Sequence, residues 1–151
     1  EVITSIGDKK IPRIVVSEYL PGDELTIDTI VNNGELVDCL IRKRTRINNG
    51  ISTAGNFVDN KEIYEYVEKI VSSIPMLDGP IGFQVKKSAK GKYLLLESNP
   101  RIQGTSVAAL GLGVNLPQRA VNQALGITLE KLPRYSGISF VRYYQEAFYD
   151  S

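Results

Sequence analysis

The chain has 151 residues, a single domain's length, with 42% apolar and 23% charged residues, an ordinary globular composition. Lys+Arg (18) and Asp+Glu (17) leave a net charge of +1, which speaks against a dedicated nucleic-acid binder, and one cysteine excludes an internal disulfide and a Cys-rich zinc site. There is no histidine, so a Ser-His-Asp triad, a Cys-His dyad, a His-ligated metal and a His general base are all excluded within this chain.

Residues 11–20, IPRIVVSEYL, are rich in β-branched and aromatic side chains and predict a strand. Pro21-Gly22-Asp23 predicts a turn in which Gly22 supplies positive φ. Residues 24–31 place Leu25, Ile27 and Val31 on one face and Glu24, Thr26 and Asp28 on the other, the pattern of a half-buried strand. Asn32-Asn33-Gly34 predicts a hairpin turn, and residues 35–46 a third strand in which Cys39 is a small hydrophobe. Alternation sends Arg42, Arg44 and Arg46 to one face, either to meet phosphates or an anionic acceptor or to form a solvated strand end. The Gly- and Asn-rich stretch 47–56 predicts a mobile loop.

Asp59, with Glu62 three residues on, predicts a capping box, and Ile63, Val67, Ile70, Val71 and Ile74 form one apolar helical stripe that Pro75 ends. A strand over 81–88, a Lys90-Gly91 turn and a strand over 92–99 form a hairpin. Asn115 and Pro117 start a second helix and Gly126 caps it; Ile138–Phe148 reads as an edge strand, with Tyr143 and Tyr144 as packing residues. The order predicts an α+β fold, an antiparallel sheet with helices packed on one face. No signal-like segment and no bilayer-length apolar run is present, so a soluble, cytoplasmic polypeptide is expected, and the abrupt start at Glu1 reads as a piece of a longer chain.

The chemistry concentrates between Gly82 and Ser106. With a two-residue loop at Lys90-Gly91, Ala89 pairs with Lys92 and Gln84 falls opposite Glu97. Gln84, Glu97 and Asn99 then share one face, while Phe83, Val85, Leu94 and Leu96 form the apolar one. Three hard oxygen donors in one cluster suit Mg²⁺, which takes one or two carboxylates and completes its octahedron with phosphates and water. Arg101 follows just past the strand, and its donor fork suits phosphate. Gln103-Gly104-Thr105-Ser106 adds a loop rich in hydrogen-bond donors. Together these features describe a nucleotide-phosphate site; the alternative is a solvated sheet face.

Glu97-Ser98-Asn99-Pro100-Arg101 after an apolar strand, with Gln84 in the strand before, resembles the metal-binding end of the ATP-grasp superfamily. Glu18 to Asp28 resembles the family's E-Y-x-x-G-x-E-x-x-x-D segment, and residues 104–126 continue the likeness, so it covers about residues 13–132. The Gln84 position is most similar to the carbamoyl-phosphate-synthetase-large-chain-like branch, which uses Gln rather than Asp as its first metal ligand. The resemblance implies that Glu18 lies by the adenine and ribose and Glu24 contacts the ribose. It implies that Gln84, Glu97 and Asn99 hold two Mg²⁺ ions on the ATP phosphates, with Mn²⁺ as a substitute, and that Arg101 is catalytic, stabilising the transferred phosphoryl group or acyl phosphate. Synthetases of this branch carry a His in the loop where this chain has Ser52, which sets carbamoyl phosphate synthesis itself apart.

On this resemblance, residues 1–151 are the C-terminal lobe of an ATP-grasp module. The partners are ATP, a small carboxylate, and an N-terminal lobe of the same parent with phosphate-clamping lysines. Nucleic acid and membrane are not expected, and a homo-oligomer is left open. The implied activity is an ATP-dependent ligase acting through an acyl phosphate, with the isolated chain inactive. The competing expectation is a non-catalytic regulatory or oligomerisation module derived from such a lobe.

Overall fold

Alternating and continuous apolar runs assemble one six-stranded antiparallel sheet in the computed structural model, which describes residues 13–150. The strands are β1 (Glu24–Asn32), β2 (Glu35–Asn48), β3 (Ile51–Phe57), β4 (Gly79–Lys87), β5 (Tyr93–Asn99) and β6 (Ser139–Val141), in the order β5-β4-β1-β2-β3-β6. Helix α1 (Lys61–Ser72), a 3₁₀ turn (Ser106–Leu112) and helix α2 (Leu116–Ala124) complete the order. No helix among the described residues is long and apolar enough to cross a membrane.

Two Asn-Gly turns set the central registers. Asn33 (φ 48°) and Gly34 (φ 78°) join β1 to β2, and Asn49 (φ 48°) and Gly50 (φ 77°) join β2 to β3. Both pairs have the left-handed φ values that match the twist of a two-residue hairpin. The mobile loop expected over 47–56 is therefore a second hairpin, because Asn49-Gly50 carries the same turn chemistry as Asn33-Gly34. The strand expected over 11–20 does not form from residue 13 onward, and residues 11–12 lie outside the described part. Val15 and Val16 are almost fully exposed there. β-propensity reflects packing on a sheet, and this segment pairs with no strand among the described residues. Gly22 is not in the left-handed region. It is needed for a close approach, since a Cβ there would lie 2.6 Å from Lys87 Cβ.

α1 begins one residue later than expected: Asn60, not Asp59, is its N-cap and accepts from Ile63 N at 3.0 Å. Its stripe buries Ile63, Val67 and Val71 fully against Leu25, Ile27, Ile41, Phe83 and Val85. The other face carries Ile30, Leu40 and Phe57, packed against Ala109 of the 3₁₀ turn, Val114 and Leu116. The α+β antiparallel architecture is as expected, but the helices divide between the two faces, and β1 is buried on both rather than half-buried. α2 is tied to β2 by a bidentate Arg119–Asp38 pair (2.5 and 2.8 Å) and ends in a Schellman motif at Gly126. The expected edge strand over 138–148 contracts to the three residues of β6.

Cys39 packs against the α1 side of the sheet as a small hydrophobe. Burial, reinforced by Asp28, pushes its thiol from 9.0 up to about 12. Between these values the unfolded chain loses the proton while the folded chain keeps it. The stabilisation is therefore complete below pH 9.0 and is lost as pH rises toward about 12. Cys39→Val is expected to flatten this alkaline decline, read from urea unfolding below and within the window; an unchanged slope would show that the thiol does not contribute.

Candidate functional site

The face opposite α1 is apolar at one end and polar at the other, and the candidate site occupies the polar end. Register places residues in rows that run across the strands. One row is Glu97–Gln84–Thr26–Arg42–Phe57, and the next is Asn99–Gly82–Asp28–Leu40. Directly opposed residues share a face, so the predicted cluster of Gln84, Glu97 and Asn99 does form. Gln84 Nε2 lies 3.4 Å from Glu97 Oε1, and Asn99 Nδ2 donates to the same oxygen.

The Gln84–Glu97 pairing arises through two offsetting features. The turn is one residue longer than expected: Ser88 N donates to Lys92 O at 2.8 Å, enclosing residues 89–91. A bulge between Gln84 and Val85 restores the register, with Val85 opposite Leu95. Consequently Tyr93 and Leu95, not Leu94 and Leu96, oppose the apolar side of β4. Tyr93 joins the core, and Leu96 is 47% exposed.

Glu24 forms a half-buried ion pair with Arg44. Arg44 also donates from Nε to Ser52 Oγ at 2.9 Å and from Nη2 to Gly50 O at 2.5 Å, and its Nη1 is 3.5 Å from Gln84 Oε1. One guanidinium thus links Glu24, Gln84 and the β2–β3 hairpin, and Ser52 sits buried on β3 rather than in a loop. A bulge at Thr45 puts Arg46 opposite Ala54 while Arg44 opposes Gly55, so Arg46 leaves the shared face. Glu18 is exposed in the irregular segment and is not brought to the cluster by any hydrogen bond or ion pair among the described residues. Arg101 is exposed just past β5, its Nη1 donating to Ile102 O at 3.2 Å.

A cleft of about 370 Å³ opens beside the cluster, lined by Arg44, Arg101, Arg142, Gln84, Ser52 and Thr105 among others, with no Asp or Glu among the described residues of its wall. Arg142 has no local sequence signal. Pairing of β6 with β3 and an Arg142 N to Thr53 O bond (2.8 Å) bring it there. Sequence reasoning also left unassigned a buried network beneath the cleft. Arg42 donates to Asp28 Oδ2 at 2.5 Å and to Thr105 O at 2.6 Å, and Ser106 Oγ donates to Asp28 Oδ1 at 2.5 Å. Burial pulls the Arg42 pKa down and Asp28 holds it up; an arginine keeps its proton in either case.

No group of three or more His, Cys, Asp or Glu that could hold a metal occurs among the described residues. The candidate set has a single carboxylate flanked by two amides that converge on it. A half-turn of each amide exchanges NH₂ for carbonyl oxygen, giving three hard donors. That set fits Mg²⁺, which needs few protein carboxylates when phosphates supply the remaining ligands.

A family model described as ATP-grasp in the biosynthetic pathway with Ter operon matches residues 10–147. The chain belongs to the ATP-grasp superfamily. No curated protein matches its sequence. Among solved structures, this ATP-grasp chain is similar to the biotin carboxylase–β-γ-ATP complex from Campylobacter jejuni (TM-score 0.58, 15% identity, 74% of this chain and 27% of that one). It is also similar to an L-amino acid ligase from Bacillus licheniformis (0.54, 18%, 71% and 30%). A third similar structure is the biotin carboxylase domain dimer of Hydrogenobacter thermophilus 2-oxoglutarate carboxylase with MgADP, ADP and bicarbonate (0.57, 19%, 78% and 27%). At these identities the likeness is one of fold, and the ATP-grasp chain spans under a third of the length of each.

Proposed function

We propose that the chain is the C-terminal lobe of a carbamoyl-phosphate-synthetase-like ATP-grasp ligase that joins a carboxylate to an amine or other nucleophile. The observation that carries this reading is the Gln84–Glu97–Asn99 cluster beside a cleft lined by Arg44, Arg101 and Arg142. The Arg101 and Arg142 guanidiniums on this wall attract anions, Arg44 being paired with Glu24, and an oxygen-donor cluster next to them suits the metal-bound phosphates of ATP.

In this reading a substrate carboxylate oxygen attacks the γ-phosphorus and the bond to ADP breaks, leaving an acyl phosphate. The amine then attacks the acyl carbon and phosphate departs. Such transfers need positioning and charge neutralisation more than proton transfer, which suits a lobe without histidine. Glu97, Gln84 and Asn99 would hold two Mg²⁺ ions, whose contribution when bound is to neutralise charge on the transferring phosphoryl group. Arg101 supports the same charge from the cleft side, and Glu24 meets the ribose once Arg44 releases it. Glu18 reaches the nucleotide from the segment before β1. The preceding lobe supplies the phosphate clamp and lid.

The full-length protein is expected to release ADP only when a carboxylic acid is present, and the 151-residue chain alone to bind MgATP only weakly. Micromolar binding by the isolated chain in calorimetry would overturn the two-lobe assignment. A full-length protein that neither binds MgATP nor releases ADP would be the non-catalytic regulatory or oligomerisation module instead.

A further inference from the structure

Gly82 occupies an unusual place in the sheet. It opposes Asp28 on β1 and Asn99 on β5, so it stands between the buried network and the candidate metal cluster. A Cβ at Gly82 would lie 2.3 Å from Gln103 Cγ and Cδ, because the Gln103 side chain fills the gap that the glycine leaves in its row. Gln103 Nε2 donates to Ile27 O at 2.9 Å and approaches Asp28 Oδ1 at 3.3 Å. The loop after β5 is thus pinned to the sheet at three successive points: Gln103 over Gly82, Thr105 O on Arg42, and Ser106 Oγ on Asp28. Arg101 lies two residues before the first pin.

The cost of this arrangement argues that it does more than stabilise. Arg42 and Asp28 are 2% and 5% exposed at their side chains, and Arg42 Nε has no hydrogen-bond partner. Desolvating two charges and orphaning a donor costs free energy, and well-packed apolar side chains often serve stability as well or better. What apolar side chains cannot do is grip a loop through its carbonyl and hydroxyl groups at fixed distances.

We propose that Asp28 and Arg42 are positioning residues, a buried ion pair that holds the Arg101–Ser106 loop at a fixed height over the sheet and so sets where Arg101 meets the transferring phosphoryl group. The role of Arg101 rests on the ligase reading above; the anchoring of the loop does not. A loop held at three points presents Arg101 without a search at the moment of transfer, and this preorganisation makes an electrostatic contact effective in the transition state.

The test uses Ser106→Ala, which deletes the anchor to Asp28 together with the bond Ser106 Oγ accepts from Gln103 N (3.1 Å), with little change in volume, and Ser106→Thr, which retains the hydroxyl. In the 151-residue chain, hydrogen exchange is read at the Ser106 and Ala108 amides, which are bonded to Gln103 O (3.0 Å) and Thr105 O (3.1 Å). Ser106→Ala is expected to speed both by about tenfold while β1 amides are unchanged, and Ser106→Thr to leave them near the parent rate. In the full-length protein, Ser106→Ala is expected to lower kcat for ADP release by about tenfold with KM for ATP unchanged, the signature of an interaction made in the transition state, and Ser106→Thr to restore it. Arg119→Lys, which weakens the α2–β2 tie outside the site, is the control for a purely structural loss. Unchanged exchange at the two amides overturns the anchoring. Faster exchange with an unchanged kcat, or an equal kcat loss in Arg119→Lys, overturns the positioning of Arg101. If the unaltered full-length protein releases no ADP, the ligase reading has failed and the exchange result alone decides the anchoring.

Discussion

Replacing Glu97 by alanine is expected to lower ADP release by the full-length protein by roughly 10²–10³-fold, the range seen when one preorganised electrostatic contact to a transition state is lost. Glu97 is the only carboxylate of the cluster, and both neighbouring amides already turn toward its Oε1. A neutral amide can contribute a dipole but cannot offset the charge of a divalent cation, so Gln84 and Asn99 would not compensate. Glu97→Gln keeps the shape and removes the charge, and it should lose nearly as much turnover as alanine if charge is what matters. Glu97 is exposed on edge strand β5, so neither change should alter thermal stability much. A coupled assay for ADP checks the rate, and a melting curve checks the fold. Turnover that survives in both variants would remove the cluster from the reaction.

The largest effect on stability is expected at Arg42. Arg42→Met should lower the unfolding free energy of the chain by roughly 3–5 kcal/mol, because it leaves Asp28 buried without its counter-charge. Ser106 Oγ and Gln103 Nε2 would remain near Asp28, yet neither carries a charge. The double variant Asp28→Leu/Arg42→Met removes the stranded carboxylate and should recover most of the loss. Urea unfolding of the two variants separates the cases, and a double variant no more stable than Arg42→Met would show that the pair's own attraction outweighs its desolvation. A loss of this size is a large fraction of the 5–15 kcal/mol that typically separates folded from unfolded domains.

Much of the fold could be read from local chemistry. The Asn32-Asn33-Gly34 turn, the α1 stripe from Ile63 to Val71, the Asn115 cap and the Gly126 terminus each depend on residues a few positions apart. Their geometry is decided within one turn of chain, so sequence carries it. The hairpin at Asn49-Gly50 was equally local and was obscured only by the small polar residues around it. The strand expected over residues 11–20 does not form over its described part, 13–20, for a different reason: β-branched side chains favour a strand only where a neighbour supplies hydrogen bonds and a packing surface. The Gln84–Glu97 pairing emerged despite an incorrect turn length, because the bulge at Val85 offset the additional loop residue.

The sequence by itself determined the class of chemistry. With no histidine and one cysteine, chemistry in this chain must run on carboxylates, amides, arginines, lysines and the backbone, and the spacing of Gln84, Glu97, Asn99 and Arg101 put four such groups at one hairpin. It also carried the ATP-grasp likeness that the family match over residues 10–147 bears out. Only the tertiary structure decided the fate of the three arginines on β2. Alternation alone made Arg42, Arg44 and Arg46 equivalent. Folding buried Arg42 against Asp28, placed Arg44 between Glu24 and Gln84, and turned Arg46 away through the bulge at Thr45. It also brought Arg142 into the cleft from the far edge of the sheet. These outcomes depend on which strand lies alongside and what covers each face. Both are settled by contacts between residues far apart in the chain, and no local pattern encodes them.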